Sequence, residues 1–316
     1  MEVMNGIYLV AGRSHPKLAM AIAKKMKKRL LSVEIENFAN GEIYVRIKKK
    51  VRGEDIFIIQ SIADPVNENL METLILADAL KRSSARRINL ICPFLAYCRQ
   101  DRKTVSREPI TAKLVADLLT KAGIDRLVTI DLHADQIQGF YDIPVDHFVA
   151  YPQFARYIKR QKWKDMVIVS PDIGGVKRAN KIADLLGLPL AIIDKVRKIH
   201  NQAEVAHVVG EVKGKTAIIL DDIVDTAGSV VAAAEVIKKR GAKKVVFCAS
   251  HALLSGPAVE RLNKSAIDKL LFLDTVPMGE KKVKNCQILS VAPLLAEAIS
   301  RIHKEESLGK MFDRFV

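Results

Sequence analysis

Short apolar runs alternate with amphipathic stretches along the whole chain. Runs at residues 7–10, 56–60, 88–92, 127–131, 166–170, 190–194, 216–221, 244–249, 270–273 and 287–291 have the length and β-branched content of buried strands. Between them, apolar positions recur every three or four residues at 17–30, 69–81, 111–122, 154–162, 176–186, 228–240 and 294–304, which predicts helices. Strands that alternate with helices of this length form βαβ units, so the expected class is α/β, with mainly parallel sheets flanked by helices. Residues 33–46 break the pattern: two short runs split by Asn40-Gly41 predict a hairpin with a type I′ turn.

Two stretches match at a constant offset. Residues 79–92 read ALKRSSARRINLIC and residues 236–249 read VIKKRGAKKVVFCA. Each is a helix end, a basic turn around a small residue, and a β-rich strand, which points to two similar α/β halves. The weakly periodic stretch 142–149, with Pro144, is the expected crossover between them. That sets domains at 1–148 and 149–292.

Composition narrows the class. At 316 residues, 49% hydrophobic and 28% charged, the chain reads as about two globular domains rather than a disordered or collagen-like polymer. The four cysteines, Cys92, Cys98, Cys248 and Cys286, form no CxxC pair; neither a disulfide scaffold nor a Cys-built zinc site is expected, and a reducing cytoplasm fits. No charged leader with an apolar core opens the sequence, and no apolar run approaches the roughly 18 residues of a membrane span. The net charge of +15 fits polyanionic ligands. Its basic runs are scattered over predicted helix ends and strand entries, and aromatics are 5%. Neither a nucleic-acid nor a membrane partner is therefore expected.

The strongest local signal is TAIILDDIVDTAGS at 216–229. An apolar strand ends in Asp221 and Asp222, a short turn brings Asp225, and Thr226-Ala227-Gly228-Ser229 opens a helix. Ligands of open α/β sheets bind at the carboxyl ends of strands. Free amides at a helix start favour an anion, which adjacent carboxylates would repel unless they held hydroxyls or a cation. A sugar phosphate meets both conditions, with its diol on the acids and its phosphate on the amides. Helix capping by Asp225 or Thr226 explains one residue, not three acids and a glycine.

This segment resembles the phosphoribosyl-pyrophosphate-binding motif of type I phosphoribosyltransferases. Further segments, Phe38-Ala39-Asn40-Gly41-Glu42, YCRQDRK at 97–103, DLHADQIQGF at 131–140, PDIGG at 171–175 and DKVR at 194–197, resemble the ribose-phosphate pyrophosphokinase family in that family's order. The resemblance implies two phosphoribosyltransferase type I (Rossmann-like) domains, with a C-terminal helix in 293–316 packing back on the first and the active site between them. It implies transfer of a diphosphoryl group from ATP to the C1 hydroxyl of ribose 5-phosphate. By resemblance, Phe38, Asn40, Gly41, Glu42, Arg99, Gln100 and Asp101 contact ATP, the first four across a subunit interface. Asp221, Asp222, Asp225, Thr226, Ala227, Gly228, Ser229 and Arg197 bind ribose 5-phosphate. Lys195 and Arg197 are catalytic, on a basic loop after strand 190–194. His133 and Asp172 form a Mg²⁺ site, for which the carboxylate suits the ion better than the imidazole. A hexamer regulated by ADP and phosphate is implied too, with Arg52, Ser83, Ser106 and Arg107 as anion contacts.

Taken alone, RQDRK reads as a surface charge cluster, Asp172 as a helix N-cap and Lys195–Arg197 as a basic loop. Asn40 stands where many relatives carry Asp, which removes any role needing a carboxylate there. Gly309 stands where a Ser is common. Two rival readings share the motifs: a silent regulatory paralogue and a phosphoribosyltransferase that consumes the product. The first is expected to lose catalytic groups that this chain keeps.

Overall fold

The computed structural model describes residues 6–196, 205–309 and 311, and the chain divides into two compact units. The first holds the residues up to Phe148, with Thr275–Pro277 and the stretch from Ser290 onward; the second holds Val149–Asp274 and Met278–Leu289. The first runs β1 (Ile7–Ala11), α1 (Pro16–Met26), β2 (Val33–Asn37), β3 (Ile43–Ile47), β4 (Asp55–Ile59), α2 (Val66–Arg82), β5 (Arg87–Ile91), α3 (Thr111–Ala122), β6 (Arg126–Ile130), a 3-10 turn (Asp135–Phe140) and β7 (Val145–Phe148). The second runs α4 (Tyr151–Lys159), β8 (Met166–Ser170), α5 (Val176–Leu186), β9 (Leu190–Val196), β10 (Val205–Val209), β11 (Thr216–Val224), α6 (Gly228–Lys239), β12 (Lys244–Ala252), α7 (Ala258–Lys264), β13 (Lys269–Leu273) and β14 (Cys286–Leu289). Helix α8 (Ala292–His303) belongs to the first unit, where it packs on α1.

The first sheet has the order β1-β4-β5-β6-β7, and every pairing is parallel. Helices cover both faces of such a sheet, which is why β4 is buried at all five positions and reads, after Asp55, as four apolar residues in a row. The second sheet has the order β10-β9-β8-β11-β12-β13-β14, parallel except for β10 against β9. Its core gathers Val167, Ile219, Phe247 and Phe272 with Val230 and Ile237 of α6. Matched strand by strand in order, β1-β4-β5-β6-β7 corresponds to β8-β11-β12-β13-β14, and the pair β2–β3 to the pair β9–β10. The two similar stretches of sequence are α2–β5 and α6–β12, the same step of the repeat. This supports a duplicated α/β unit.

Several expectations change. Residues 142–149 are not a bare crossover: they contain β7, parallel to β6 from the pair Leu127↔Val145. Pro144 sits just before that strand, and its carbonyl accepts the Leu127 N–H. A strand of four residues is too short to show a period. Helix α1 stops before residue 30 because Lys27 turns left-handed, φ 55°, and closes the helix end. Strand β9 reaches Val196 and pairs antiparallel with β10, so Lys195 lies in a strand, opposite Ala206, rather than in a loop. The seven-residue α7 had no sequence signal long enough to read.

Candidate functional site

Strand β11 is bordered by β8 only as far as Ile219. From there to Val224 it continues on β12 alone, through Asp221↔Ala249 and Ile223↔His251. The two acids therefore lie within the strand, on its projecting part, rather than just beyond its end. Asp222 points inward and is 5% exposed, whereas Asp221 stays partly open. The Asp222 N–H donates to Asp221 Oδ1 at 2.9 Å. Burial, with the Asp222 carboxylate beside it, pushes the Asp221 carboxyl well above the usual carboxylate range against the opposing pull of Arg178.

Arg178 is the residue that sequence reasoning missed. It lies on α5, with Nη1 at 3.0 Å from Asp222 Oδ1 and 3.6 Å from Asp221 Oδ1. A signal existed. An inward carboxylate with a second one beside it needs a cation, and the helix that follows β8, the strand next to β11, starts at the same end of the sheet.

Beyond β11, Asp225 and Thr226 do not cap the next helix. The N-cap is Ala227, in the left-handed region at φ 61°, and among the described residues no side chain caps the first amides of α6. A non-glycine residue with positive φ is strained. Here the strain starts the helix on an apolar residue and leaves the N–H groups of 228 and 229 free of side-chain caps. The turn is braced from behind: Arg261 Nη1 donates to the Thr226 carbonyl at 3.0 Å, and the Ser255 N–H to the Asp225 carbonyl at 3.0 Å. Thr226 and Ser229 are exposed. The result is a cation-favouring acid pair beside an uncapped, anion-favouring helix start.

Asp172 follows β8 and is exposed. It is not the N-cap of α5, a place taken by Gly175. Its Oδ1 accepts the Gly175 N–H at 2.8 Å, and Ser170 Oγ donates to its carbonyl at 2.7 Å, so the carboxylate is held in a turn at the sheet's carboxyl end. Arg197 lies outside the described residues.

In the first unit, the loops after β5 and β6 leave at the carboxyl ends of neighbouring parallel strands. Asp101 Oδ2 accepts from Gln136 Nε2 at 3.2 Å, which joins the RQD loop to the loop that carries His133. Gln100 is tied to α3 by Thr111 Oγ1 at 2.5 Å and by the Ala112 N–H. Arg99 and His133 are exposed. The His133 loop is anchored one residue earlier: the Leu132 N–H donates to His147 Nε2 at 2.9 Å. The hairpin β2–β3 presents Phe38, 55% exposed, with its ring 5.6 Å from that of Tyr44. Its turn is not type I′. Gly41 alone has positive φ, 91°, and the Gly41 N–H bonds the Phe38 carbonyl, the pattern of a longer loop ending in a glycine bulge. Asn40 Oδ1 accepts the Glu42 N–H at 3.1 Å. Of the expected regulatory positions, Ser83 caps the end of α2 through its own Oγ to the Ala79 carbonyl. Arg52, Ser106 and Arg107 are exposed in turns, Arg107 at φ 69°.

Two family models match the chain. The N-terminal domain of ribose phosphate pyrophosphokinase covers residues 7–123, and the phosphoribosyl synthetase-associated domain covers residues 197–313. A ribose-phosphate pyrophosphokinase of Fusobacterium nucleatum is 50% identical over 312 residues, 98% of this chain and 99% of its own length. The chain belongs to the ribose-phosphate pyrophosphokinase family. A second relative of that name, from Bacillus caldolyticus, is 51% identical over 313 residues, 99% of each chain. The crystal structure of phosphoribosylpyrophosphate synthetase from Mycobacterium smegmatis matches with a TM-score of 0.91 at 46% identity, over 95% of this chain and all of that one. The α/β class and the two phosphoribosyltransferase-type units are thus those of the pyrophosphokinase family. Neither rival reading finds support among these relatives.

Proposed function

We propose that this chain transfers the diphosphoryl group of ATP to the C1 hydroxyl of ribose 5-phosphate, giving 5-phosphoribosyl 1-pyrophosphate and AMP. The observation that carries the reading is the end of β11: an acid pair beside uncapped helix amides, in a chain half identical to curated ribose-phosphate pyrophosphokinases along nearly its whole length.

The amides of 226–229 take the 5-phosphate. Asp221 and Asp222 take the ribose hydroxyls, with Arg178 holding Asp222 in place, and Asp225 lines the same turn. Arg99, Gln100 and Asp101 hold the donor nucleotide, and Phe38 gives the adenine an exposed ring, with Asn40, Gly41 and Glu42 at its edge. The C1 hydroxyl oxygen attacks the β-phosphorus in line and its proton passes to solvent; the bond from that phosphorus to the α-phosphate oxygen breaks, and AMP leaves with that oxygen. Lys195 and Arg197 are the cations against which the transferred oxygens carry their charge.

Asp172 and His133 would hold Mg²⁺. The fit is one of donor chemistry. Asp172 offers an exposed carboxylate held in a turn, and Mg²⁺ needs only one or two such ligands when substrate phosphates and water supply the rest. Among the described residues no group of three or more His, Cys, Asp or Glu forms a protein cage. When bound, the ion neutralises charge on the donor's phosphate oxygens.

A homo-oligomer, hexameric by resemblance, completes the reading. It is supported by the exposed apolar row Ile110, Leu114 and Leu118 along α3. No described helix is long and apolar enough to cross a membrane, which accords with a cytoplasmic site of action. The test is incubation with ATP, ribose 5-phosphate and Mg²⁺. AMP formed in equal amount to phosphoribosyl pyrophosphate is expected. Absence of AMP, with purine base converted to nucleotide in the presence of phosphoribosyl pyrophosphate, overturns the reading in favour of a phosphoribosyltransferase.

A further inference from the structure

A chain of polar contacts in the first unit runs from the buried interior of α2 to the tip of the β2–β3 hairpin. Glu72 lies on α2 with its side chain 2% exposed. Arg13, in the loop after β1, meets it twice: the backbone N–H donates to Glu72 Oε1 at 2.7 Å, and Nε to Oε2 at 2.5 Å. Gln60, just past β4, fills the rest of the carboxylate, with Nε2 on Glu72 Oε1 at 2.9 Å, while its own Oε1 accepts from Ser14 N and Oγ at 3.0 and 2.6 Å. Gln60 packs so closely on Gly12 that a Cβ there would lie 2.2 Å from its Oε1, so the loop that carries Arg13 is fixed along its length.

The other end of the guanidinium leaves the interior. Arg13 Nη1 donates to Asn37 Oδ1 at 2.7 Å. Asn37 is the last residue of β2, and its Nδ2 in turn donates to the Gly41 carbonyl at 3.4 Å. The hairpin pairs with neither of the two larger sheets. A planar fork suits such a link: one edge holds a carboxylate in fixed geometry while the far nitrogen is free to bond a second group. A lysine ammonium has no such second edge.

We propose that Arg13 is a positioning residue for nucleotide binding: it ties the base of the 38–42 loop, through Asn37, to the buried carboxylate of Glu72, and so holds that loop ready for ATP. This rests on the reading that residues 38–42 contact ATP. The strut acts on a loop and touches no reacting group, so its loss weakens the nucleotide and spares the pentose.

The test uses the full-length protein and four variants. Asn37→Ala cuts the outer link and leaves Glu72 paired; Arg13→Lys keeps a cation for Glu72 and loses the fork; Arg13→Ala removes both; Asn37→Asp keeps an acceptor toward Arg13. Hydrogen exchange of the β2–β3 amides is measured together with calorimetric affinities for a non-hydrolysable ATP analogue and for ribose 5-phosphate. Asn37→Ala and Arg13→Lys are expected to speed exchange in the hairpin and to weaken the analogue about three- to tenfold, the worth of one hydrogen bond. Ribose 5-phosphate affinity is expected to stay at the wild-type value, and Asn37→Asp to restore hairpin protection. Wild-type protection in Asn37→Ala overturns the strut. A loosened hairpin with unchanged analogue affinity, or equal losses for both ligands, overturns its role toward the nucleotide. A wild-type protein that forms no AMP overturns the reaction assigned above, yet leaves the exchange comparison to decide the strut.

Discussion

The two units share one order of strands and spend the same place in it differently. In the first, the residues just past β4 are closed over by hydrogen bonds: Gln60 and Glu72 are buried, and Ser14, Arg13 and Asn69 satisfy them. In the second, the equivalent strand β11 runs past its neighbour β8, carries Asp221 and Asp222, and stops at a helix whose first amides no side chain caps. The buried acids follow the same division. For Asp55, at the start of β4 and 1% exposed, burial alone would raise the pKa. Hydrogen bonds from Arg87 and His303, with the charges of Arg87 and Arg86, outweigh burial and hold it below the usual carboxylate range. For Asp221, burial and the Asp222 carboxylate outweigh the charge of Arg178 and the hydrogen bond from the Asp222 N–H, and it is raised. Where the buried amide and carboxylate are matched by hydrogen bonds, as at Gln60 and Glu72, the loop end is held by its own contacts. Where the matching is incomplete, a ligand has something to add. The scaffold fixes where loops leave the sheet, and the residues placed on those loops fix the chemistry.

The hairpins give the sharpest way to break this contrast. In the first unit the β2–β3 turn is assigned to holding nucleotide; in the second, the β9–β10 pair carries Lys195. Lys195→Ala is expected to lower kcat about 10²- to 10³-fold, the scale of removing one group that stabilises developing charge, with ATP affinity near wild type. Steady-state kinetics with separate nucleotide titration checks it. Turnover at the wild-type rate would remove Lys195 from the chemistry, and the second hairpin would then differ from the first only in position.

A smaller effect is expected from Arg178→Met. Asp222 would be left inward without its cation, at a cost of about 3 kcal/mol, the low end for a broken buried pair because Arg178 is itself 27% exposed. Urea unfolding reads the loss, and ribose 5-phosphate affinity should fall with it. The double change Arg178→Met with Asp222→Leu should recover most of the stability and none of the sugar binding. If the double variant binds the pentose normally, the acid pair is structural, and the second unit resembles the first more than its geometry indicates.

Much of this was legible before any coordinates. The strand from 166 to 170 and the helices at 111–122 and 176–186 have the bounds their apolar period implies; the helices end on a clear signal, the left-handed Gly123 and Gly187. The acids and small residues of 221–229 stood out because their types conflict with an ordinary strand end. What the sequence hid depends on distant partners. Arg178 is one of many basic residues until β8 is laid beside β11, and Arg13 is an unremarkable loop cation until Glu72 is seen to be buried. The positive φ at Ala227 belongs to a residue with no preference for it. Strand β7 was invisible for the opposite reason: its four residues hold a place in the sheet through pairing rather than pattern.

The smallest expected effect tests the division between the two kinds of acid directly. A carboxyl raised in the folded state binds its proton more tightly there than in the unfolded chain. Its contribution to stability is therefore fully present below the unfolded value of 3.8 and is lost as pH rises through the folded value. Asp221→Asn removes that loss. The variant should unfold at a higher temperature than wild type at neutral and alkaline pH, and the advantage should shrink toward zero as pH falls to the ordinary carboxylate range, while ribose 5-phosphate binding is lost. Asp55→Asn should behave in the opposite sense. A carboxyl lowered in the folded state stabilises above 3.8 and loses that contribution as pH falls through its folded value, so this variant should be the less stable at neutral pH and approach wild type in acid. Melting curves of both across the pH range decide the matter. Parallel curves for Asp221→Asn and wild type would mean that the Asp221 carboxyl is not raised in the folded state, and the raised acid would no longer distinguish the second unit.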